Sequence, residues 1–427
     1  MIVSRRLSHL ADVYVSNVDK LTNEGEIPVR LCNYVDVYKN ETVHPGLDLM
    51  EATATPSEIA RFRLAPGDTV FTKDSETADD IGVPAFVTGT AEDFVCGYHL
   101  AIARPRRGLV DPKYLYWWLR SSKVARQWEV RAAGVTRVGL RQTDIGKLPL
   151  EVVDDVEFQH SIAEFLDRET AQIDARIDAQ QRLVGLLHER LDSVWSERFM
   201  ALTETSRSLP LRRVISSIVD GPFGSSLTSA HYAEDDSGVR VIRLGNIGVN
   251  TFKNDDKAYI PLEYARQLAA HEAAAGDVIV AGLGDERMPL GRAAVLPDIG
   301  PAIVKADCYC VRPSSAVRAE YLAWVLSAPP AREQMALLSR GSTRQRLNTS
   351  VVQGVSIPIP EIADQTQATG AFSESSARID AMIANAEKSI ALLRERRAAL
   401  ITAAVTGRLD PRTAVERLDD MIEGEAS

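Results

Sequence analysis

The sequence predicts an α+β chain with two globular domains separated by a pair of long antiparallel coiled-coil helices, a pseudo-two-fold internal repeat. Three observations predict it. Between Phe158 and Phe199 an apolar line steps by four and three through Leu166, Ile173, Ile177, Val184, Leu187, Leu191 and Val194, with Thr170 and Gln180 the polar residues on it. Shifted by 206 residues, the line returns as Phe372, Ile379, Ile383, Ile390, Leu393 and Leu400, interrupted by Ser376, Ala386 and Arg397. Ahead of each line the same short motifs occur in the same order. A sustained seven-residue apolar period makes a helix whose seam must be buried on another helix, and two such helices in one chain are most simply each other's partners.

Four segments follow: residues 1–152, a spacer helix 153–205, residues 206–359, and a second spacer helix with a tail, 360–427. In the first segment Pro28–Asn33 reads as a strand, and Ala65-Pro-Gly-Asp-Thr-Val-Phe71 as a turn feeding a strand. After Asp111-Pro112, Tyr114, Leu115, Trp117, Trp118 and Leu119 predict a short helix with an aromatic buried face. The third segment replays this order with Val241–Asn246, Ala275-Gly-Asp-Val-Ile279, Cys310-Val-Arg-Pro313 and Tyr321-Leu-Ala-Trp-Val-Leu326. Gly341-Ser-Thr-Arg-Gln-Arg-Leu347 answers Gly134-Val-Thr-Arg-Val-Gly-Leu140, and Ile357-Pro-Ile-Pro360 answers Leu148-Pro-Leu150. Prolines and glycines lie outside each helix: Pro149, Pro210, Pro360, Gly407 and Pro411. At about 1.5 Å per residue, roughly 40 residues make a rod of about 60 Å. An antiparallel pair of such rods would hold two heads at a fixed separation, suited to half-sites on B-DNA, whose faces recur about every 34–36 Å.

The 427 residues are 45% hydrophobic and 25% charged, as in a soluble globular protein. No stretch approaches the roughly 20 apolar residues that span a bilayer, so the expectation is a cytoplasmic protein without membrane contact. Four cysteines fit a reducing compartment with free thiols. Cys308-Tyr-Cys310 reads either as half a metal site or as two strand residues on one face. The net charge of −10 is unevenly spread: 0 over residues 1–150, −8 over 151–205, +2 over 206–360 and −4 over 361–427. Residues 104–147 alone carry +8. The acid therefore sits on the helices, and the whole-chain value does not argue against nucleic acid.

The chain resembles the specificity (S) subunit of type I restriction–modification systems over nearly its full length. The resemblance rests on Phe71–Gly82, Asp220-Gly-Pro-Phe-Gly-Ser225, Gly341–Leu347 with Ile357–Pro360, and the ending Leu393–Gly407, in that order and duplicated. It implies that each globular unit is a target recognition domain reading half of a bipartite, asymmetric double-stranded DNA site. It also implies that the helices dock two methyltransferase (M) subunits. Restriction (R) subunits are an optional further partner, and S-adenosylmethionine, ATP and Mg would sit on the partners. Where the family has Glu-Gln after its proline-rich turn, this chain has Glu157-Phe158-Gln159 and Asp364-Gln365.

Catalytic motifs are absent from the sequence. It contains no Gly-x4-Gly-Lys-Ser/Thr phosphate loop. It also lacks an Asn/Asp-Pro-Pro-Tyr/Phe segment of the methyltransferase kind. The expected role is non-enzymatic. DNA-contact candidates are of two kinds. Arg131, Arg137 and Arg141 in one unit, and Arg340, Arg344 and Arg346 in the other, occupy basic glycine-flanked loops, read as phosphate clamps or as a solvated basic face. The loops that differ most between units are Thr72–Gly82 and Ala281–Gly291, read as base readers or as surface turns. They carry Lys73, Asp74, Ser75, Glu76 and Thr77 in one unit, and Asp285, Glu286 and Arg287 in the other, with Arg292 a further candidate directly after that loop. Gly224, Ser225 and Ser226 follow a tight turn that either offers amides to a phosphate or pins a strand through Phe223. Trp117, Trp118, Trp128 and Trp324 are expected in the core. Two alternatives remain: a specificity chain of a modification system without translocation, and a coiled-coil scaffold whose globular units bind proteins.

Overall fold

The computed structural model describes residues 1–233, 238–285, 288–339 and 345–411. The two long helices are Val156–Thr205 and Ile362–Val405. The chain divides into two compact units whose boundaries fall inside both helices: Met1–Gln181 with the second helix from Lys388 onward, and Arg182–Glu387. Each unit thus owns a globular head and a segment of each helix, a division different from four consecutive segments. Among the described residues, no helix is long and apolar enough to cross a membrane.

In the first unit a five-stranded sheet runs in the order Ala11–Val15, Leu100–Pro105, Thr69–Thr72, Pro84–Val87, Thr42–Val43. A three-stranded sheet sets Ile27–Cys32 between Met50–Ala54 and a parallel partner, Phe94–Cys96. The second unit repeats the frame: Ile215–Val219, Cys308–Pro313, Val278–Ala281 and Ala293–Val295 form one sheet. Val239–Ile242 pairs in parallel with Ala302–Val304 in another. The Ala103-Arg-Pro105 and Val311-Arg-Pro313 echoes have a physical cause. Arg104 forks onto Asp68 at 2.8 and 2.7 Å, and Arg312 onto Asp277 at 2.9 and 2.8 Å. Each aspartate ends its Gly-Asp turn and also accepts the amide three residues back, Ala65 or Ala274. A bidentate ion pair thereby fixes each turn onto the strand beside it.

The helices Pro112–Arg120 and Ala319–Ser327 are buried all round, not on one face: every side chain from Tyr114 to Leu119 and from Tyr321 to Ser327 is inside. Trp117, Trp118, Trp128 and Trp324 are all core residues. The ends of the long helices enter the same cores. Ile162, Phe165, Leu166, Ile401 and Val405 join the first, and Trp195, Phe199 and Phe372 the second.

The seam has the spacing read from the sequence. In the first unit Ile173, Ile177 and Ile390 are buried together with Leu393 and Leu400 beside them. Arg397 lies 2.9 Å from Asp174 and 2.7 Å from Glu41. In the second unit Trp195 meets Phe372 edge-on at 4.4 Å, and Arg198 donates to Ser375. In the second unit Asp380 faces His188 while Phe372 meets Trp195, so the partner number falls as the other rises and the segments run antiparallel. Leu187 and Ile383 are buried, and Val184, Leu191 and Ile379 half-buried. Leu166, Leu191 and Phe372 pack into head cores, a role the heptad reading had assigned to the helix–helix contact alone.

Gln159 and Gln365, at the positions where the sequence departs from the family pattern, are 1% and 0% exposed. The Gln159 carbonyl accepts the Asp111 amide at 2.8 Å while its NH2 donates to the Val153 carbonyl at 2.6 Å. Gln365 does the same with the Arg318 amide at 2.9 Å and the Pro360 carbonyl at 2.9 Å. Each glutamine ties the first turn of a long helix to the start of the buried helix. Removing such a side chain strands buried donors and acceptors. Gln159→Ala and Gln365→Ala are each expected to lower stability by about 1–3 kcal/mol in denaturant titration, and a surface glutamine such as Gln181 changed to Ala by under about 0.5 kcal/mol.

Burial alone would raise the Asp277 carboxyl, but hydrogen bonds from Arg312, Ala274 and Cys310 outweigh it and hold the carboxyl below its ordinary 3.8. A depressed carboxyl contributes stability that is complete above the unfolded value and lost as pH falls through the folded one. Asp277→Asn should therefore flatten the acid limb of the stability–pH curve below about pH 5, measured by denaturation midpoints from pH 7 to 2.

Candidate nucleic-acid interface

In each unit the structure brings the two loop families singled out by sequence into one ribbon. In the first, Asp74–Ser75 pairs antiparallel with Val138–Gly139, and the Leu140 amide donates to the Lys73 carbonyl at 2.7 Å. In the second, Leu283 bridges Arg346, and the Leu347 amide donates to the Gly282 carbonyl at 2.9 Å. The loops also close alike. The Gly82 amide returns to the Thr72 carbonyl and the Gly291 amide to the Ala281 carbonyl, both at 3.0 Å. Both glycines have left-handed backbones, with φ of 80° and 77°. A Cβ on Gly82 would lie 2.1 Å from the Trp128 indole, and one on Gly291 2.6 Å from the Met335 methyl.

The chemistry mounted on this common frame differs. In the first unit the Asp74 carboxylate is enclosed by His99 Nδ1 at 2.7 Å, Lys73 Nζ at 3.2 Å and Arg137 at 3.8 Å. Asp74 is therefore a buttress for cations, not an open acceptor for a cytosine amine. Ser75 is buried, which removes it from the surface, whereas Glu76 and Thr77 are exposed. Tyr34 stacks on Tyr38 at 5.5 Å. Burial pushes the Tyr34 hydroxyl above its ordinary value against a hydrogen bond with Ser75, and the Asp80 carboxylate adds to the rise. Arg137 and Arg141 are exposed, while Arg131 is half-buried and donates to the Gln127 carbonyl at 3.0 Å.

In the second unit Arg346 joins three stretches. Its backbone bridges Leu283, its Nε lies 2.6 Å from Asp307, and its guanidinium sits 5.1 Å from the Phe223 ring centre. Phe223 is 64% exposed, so it does not pin the strand from inside. Gly224, Ser225 and Ser226 are exposed around it, in a 3-10 turn Gly224–Leu227. Asp285 is exposed and its carboxylate accepts the Met288 amide at 2.8 Å. Arg292 departs from the sequence reading. It is 3% exposed, and its guanidinium donates to the carbonyls of Ile247, Leu244, Leu283 and Pro289. Those bonds hold the loop base, so Arg292 belongs to the frame; burial lowers its affinity for the proton. Glu286, Arg287, Arg340 and Arg344 lie outside the described residues.

Sequence reasoning missed His99, Tyr34, Tyr38, Tyr232, Arg243, Lys305 and Asp307. The repeat held one usable signal, since His99 and Asp307 each stand immediately before the corresponding strand, Leu100–Pro105 or Cys308–Pro313. Cys308 and Cys310 are both buried in that second strand, Cys310 Sγ lying 3.3 Å from the Asp277 carboxylate. Among the described residues no group of three or more His, Cys, Asp or Glu side chains is placed to hold a metal ion.

No family model matches the chain. It is 22% identical over 195 residues to the type I restriction enzyme StySPI specificity subunit of Salmonella potsdam, covering 46% of this chain and 42% of that protein. It is 21% identical over 195 residues to the EcoKI specificity subunit of Escherichia coli strain K12, covering 46% and 41%. The chain thus spans about two-fifths of the length of these curated relatives. In fold it is similar to a chain from the solved structural work on complex assembly and conformational transition of the type I R-M system, with TM-score 0.64, 16% identity and coverage of 96% of this chain and 98% of that one. In sequence, then, the chain resembles type I specificity subunits, and in fold a chain of the type I R-M system.

The two closing glycines yield a comparison. Gly82→Ala must clear a rigid indole as well as adopt a left-handed backbone, and about 2–4 kcal/mol of destabilisation is expected. Gly291→Ala meets only the flexible end of Met335, and about 1–2 kcal/mol is expected. Thermal unfolding of the two variants should rank them in that order.

Proposed function

We propose that this chain is the non-catalytic DNA specificity subunit of a type I restriction–modification complex. In this reading each head reads one half of a bipartite, asymmetric double-stranded site, and the long helices dock two methyltransferase subunits. Restriction subunits, S-adenosylmethionine, ATP and Mg belong to the partners' side of the complex. The observation that carries the reading is the pair of equivalent ribbons bearing unlike side chains. One ribbon presents a carboxylate ringed by Lys73, His99 and Arg137, and the other an exposed phenyl ring under Arg346. A shared frame with unlike surfaces is what reading two different base sequences requires, because base edges differ while phosphates do not.

The test exchanges residues 1–150 for the first unit of another specificity chain, in cells carrying the methyltransferase subunits, and maps the modified bases. One half-site should change and the other stay. A change in both halves, or in neither, would sink the two-reader model. A second measurement concerns Arg137, exposed at the ribbon tip. Arg137→Ala should weaken binding, and if it clamps a phosphate the log–log salt slope should fall by about 0.9.

A further inference from the structure

We propose that His99 and Asp307 are positioning residues, each fixing the loop ribbon of its own unit in the place from which that ribbon reads its half-site. The inference rests on the DNA-reading function proposed above and names what supports the reading surface.

The ribbons are too short to hold themselves. One is a two-residue ladder, Asp74–Ser75 on Val138–Gly139, and the other bridges at Leu283 and Arg346. Isolated two-stranded pieces are marginal in water, whereas a contact that tells one base from another must be held within about 0.5 Å. In both units the residue just before the strand, Leu100–Pro105 or Cys308–Pro313, supplies a fastening. The His99 carbonyl accepts the Lys73 amide at 3.0 Å, and its Nδ1 lies 2.7 Å from the Asp74 carboxylate. The Asp307 carbonyl accepts the Gly282 amide at 2.7 Å, and its carboxylate lies 2.6 Å from Arg346 Nε. One residue thus grips its ribbon at two points, through main chain and side chain together. Asp307 is itself braced: its amide donates to the Asp220 carboxylate at 3.2 Å, with φ of 65°, a region that residues other than glycine seldom take.

The chemistry of the two fastenings is reversed. In the first unit the carboxylate, Asp74, stands on the ribbon and the imidazole on the frame. In the second the carboxylate, Asp307, stands on the frame and the guanidinium on the ribbon. An imidazole and a carboxylate at one position cannot both favour the same polyanion. Their side chains are also 20% and 13% exposed, which leaves little surface for a ligand. What the two units share is the grip, with its two ends exchanged. The role is therefore support, exerted through the ribbon, and not contact with a base or phosphate.

The experiment uses the full chain assembled with its methyltransferase partners, and duplexes carrying its mapped site or single-base substitutions in either half. Competition binding reads the discrimination at each position. His99→Ala should lower discrimination about tenfold, the scale of one base contact, in the half-site assigned to residues 1–152 alone. Asp307→Ala should do the same in the half-site of residues 206–359 alone. In each case the preferred base stays the same, because the residue supports the readers and is not one. His99→Asn, whose NH2 group can take the place of Nδ1, and Asp307→Asn, whose carbonyl oxygen still faces Arg346, should restore most of the loss. Should an alanine variant fail to assemble, its ribbon-side partner, Asp74 or Arg346, is changed to alanine instead and the same outcomes apply. The inference is overturned if discrimination falls in both halves alike or in neither, if a different base becomes preferred, or if the asparagine variants are no better than alanine. A wild-type complex that does not prefer the mapped duplex over a scrambled one would instead remove the DNA-reading function itself.

Discussion

The structure depends on one constraint: the apolar seam of the long helices does not stop where the heads begin. Leu166 and Ile401 are buried in the core of the first head, and Phe372 and Trp195 in that of the second. A head cannot turn about its own helix segments without opening its core, and Gln159 and Gln365 add directional bonds at the same joints. Close packing makes such joints stiff, because a shift of a fraction of an ångström already forfeits contact energy. The spacing read as a coiled coil is thus also the anchorage of each head.

Against that frame the duplicated and the unshared features separate cleanly. The Asp68–Arg104 and Asp277–Arg312 forks, the buried glutamines, the all-buried aromatic helices and the left-handed closing glycines occur in both units. The ringed Asp74 and the exposed Phe223 occur in one each. The same fold can therefore carry two chemistries, with the differences confined to surface loops. The net negative charge of the chain is unevenly spread, with −8 over residues 151–205 and −4 over 361–427 against +8 over 104–147.

Much of this was legible in the sequence. The heptad step through Ile173, Ile177, Ile383 and Ile390 gave the helix pair, because a period of seven has one physical solution. The repeat of Pro-Gly-Asp and Ala-Gly-Asp turns gave the matching turn-strand segments of the two units, and the boundaries of the two variable loops, Thr72–Gly82 and Ala281–Gly291, coincide with their hydrogen-bonded closures. Side-chain direction was not legible. Arg292 and Ser75 look like surface groups in a polar loop, yet both point inward, Arg292 because five backbone carbonyls from three stretches converge on it. The full burial of Tyr114–Leu119 was hidden because the second face of that helix is covered by the long helices, which lie far away in sequence.

The eleven-residue loops Thr72–Gly82 and Ala281–Gly291 are closed by main-chain bonds between their ends and backed by Trp128 or Met335. Their closure is invested in backbone and in the residue behind, not in exposed side chains such as Glu76 and Thr77. Replacement of exposed loop side chains such as Glu76 and Thr77 leaves the fastenings untouched, so the loop surface can change by ordinary point mutation without passing through unfolded intermediates. A lineage built on this frame is free to vary the surface chemistry of one head at a time.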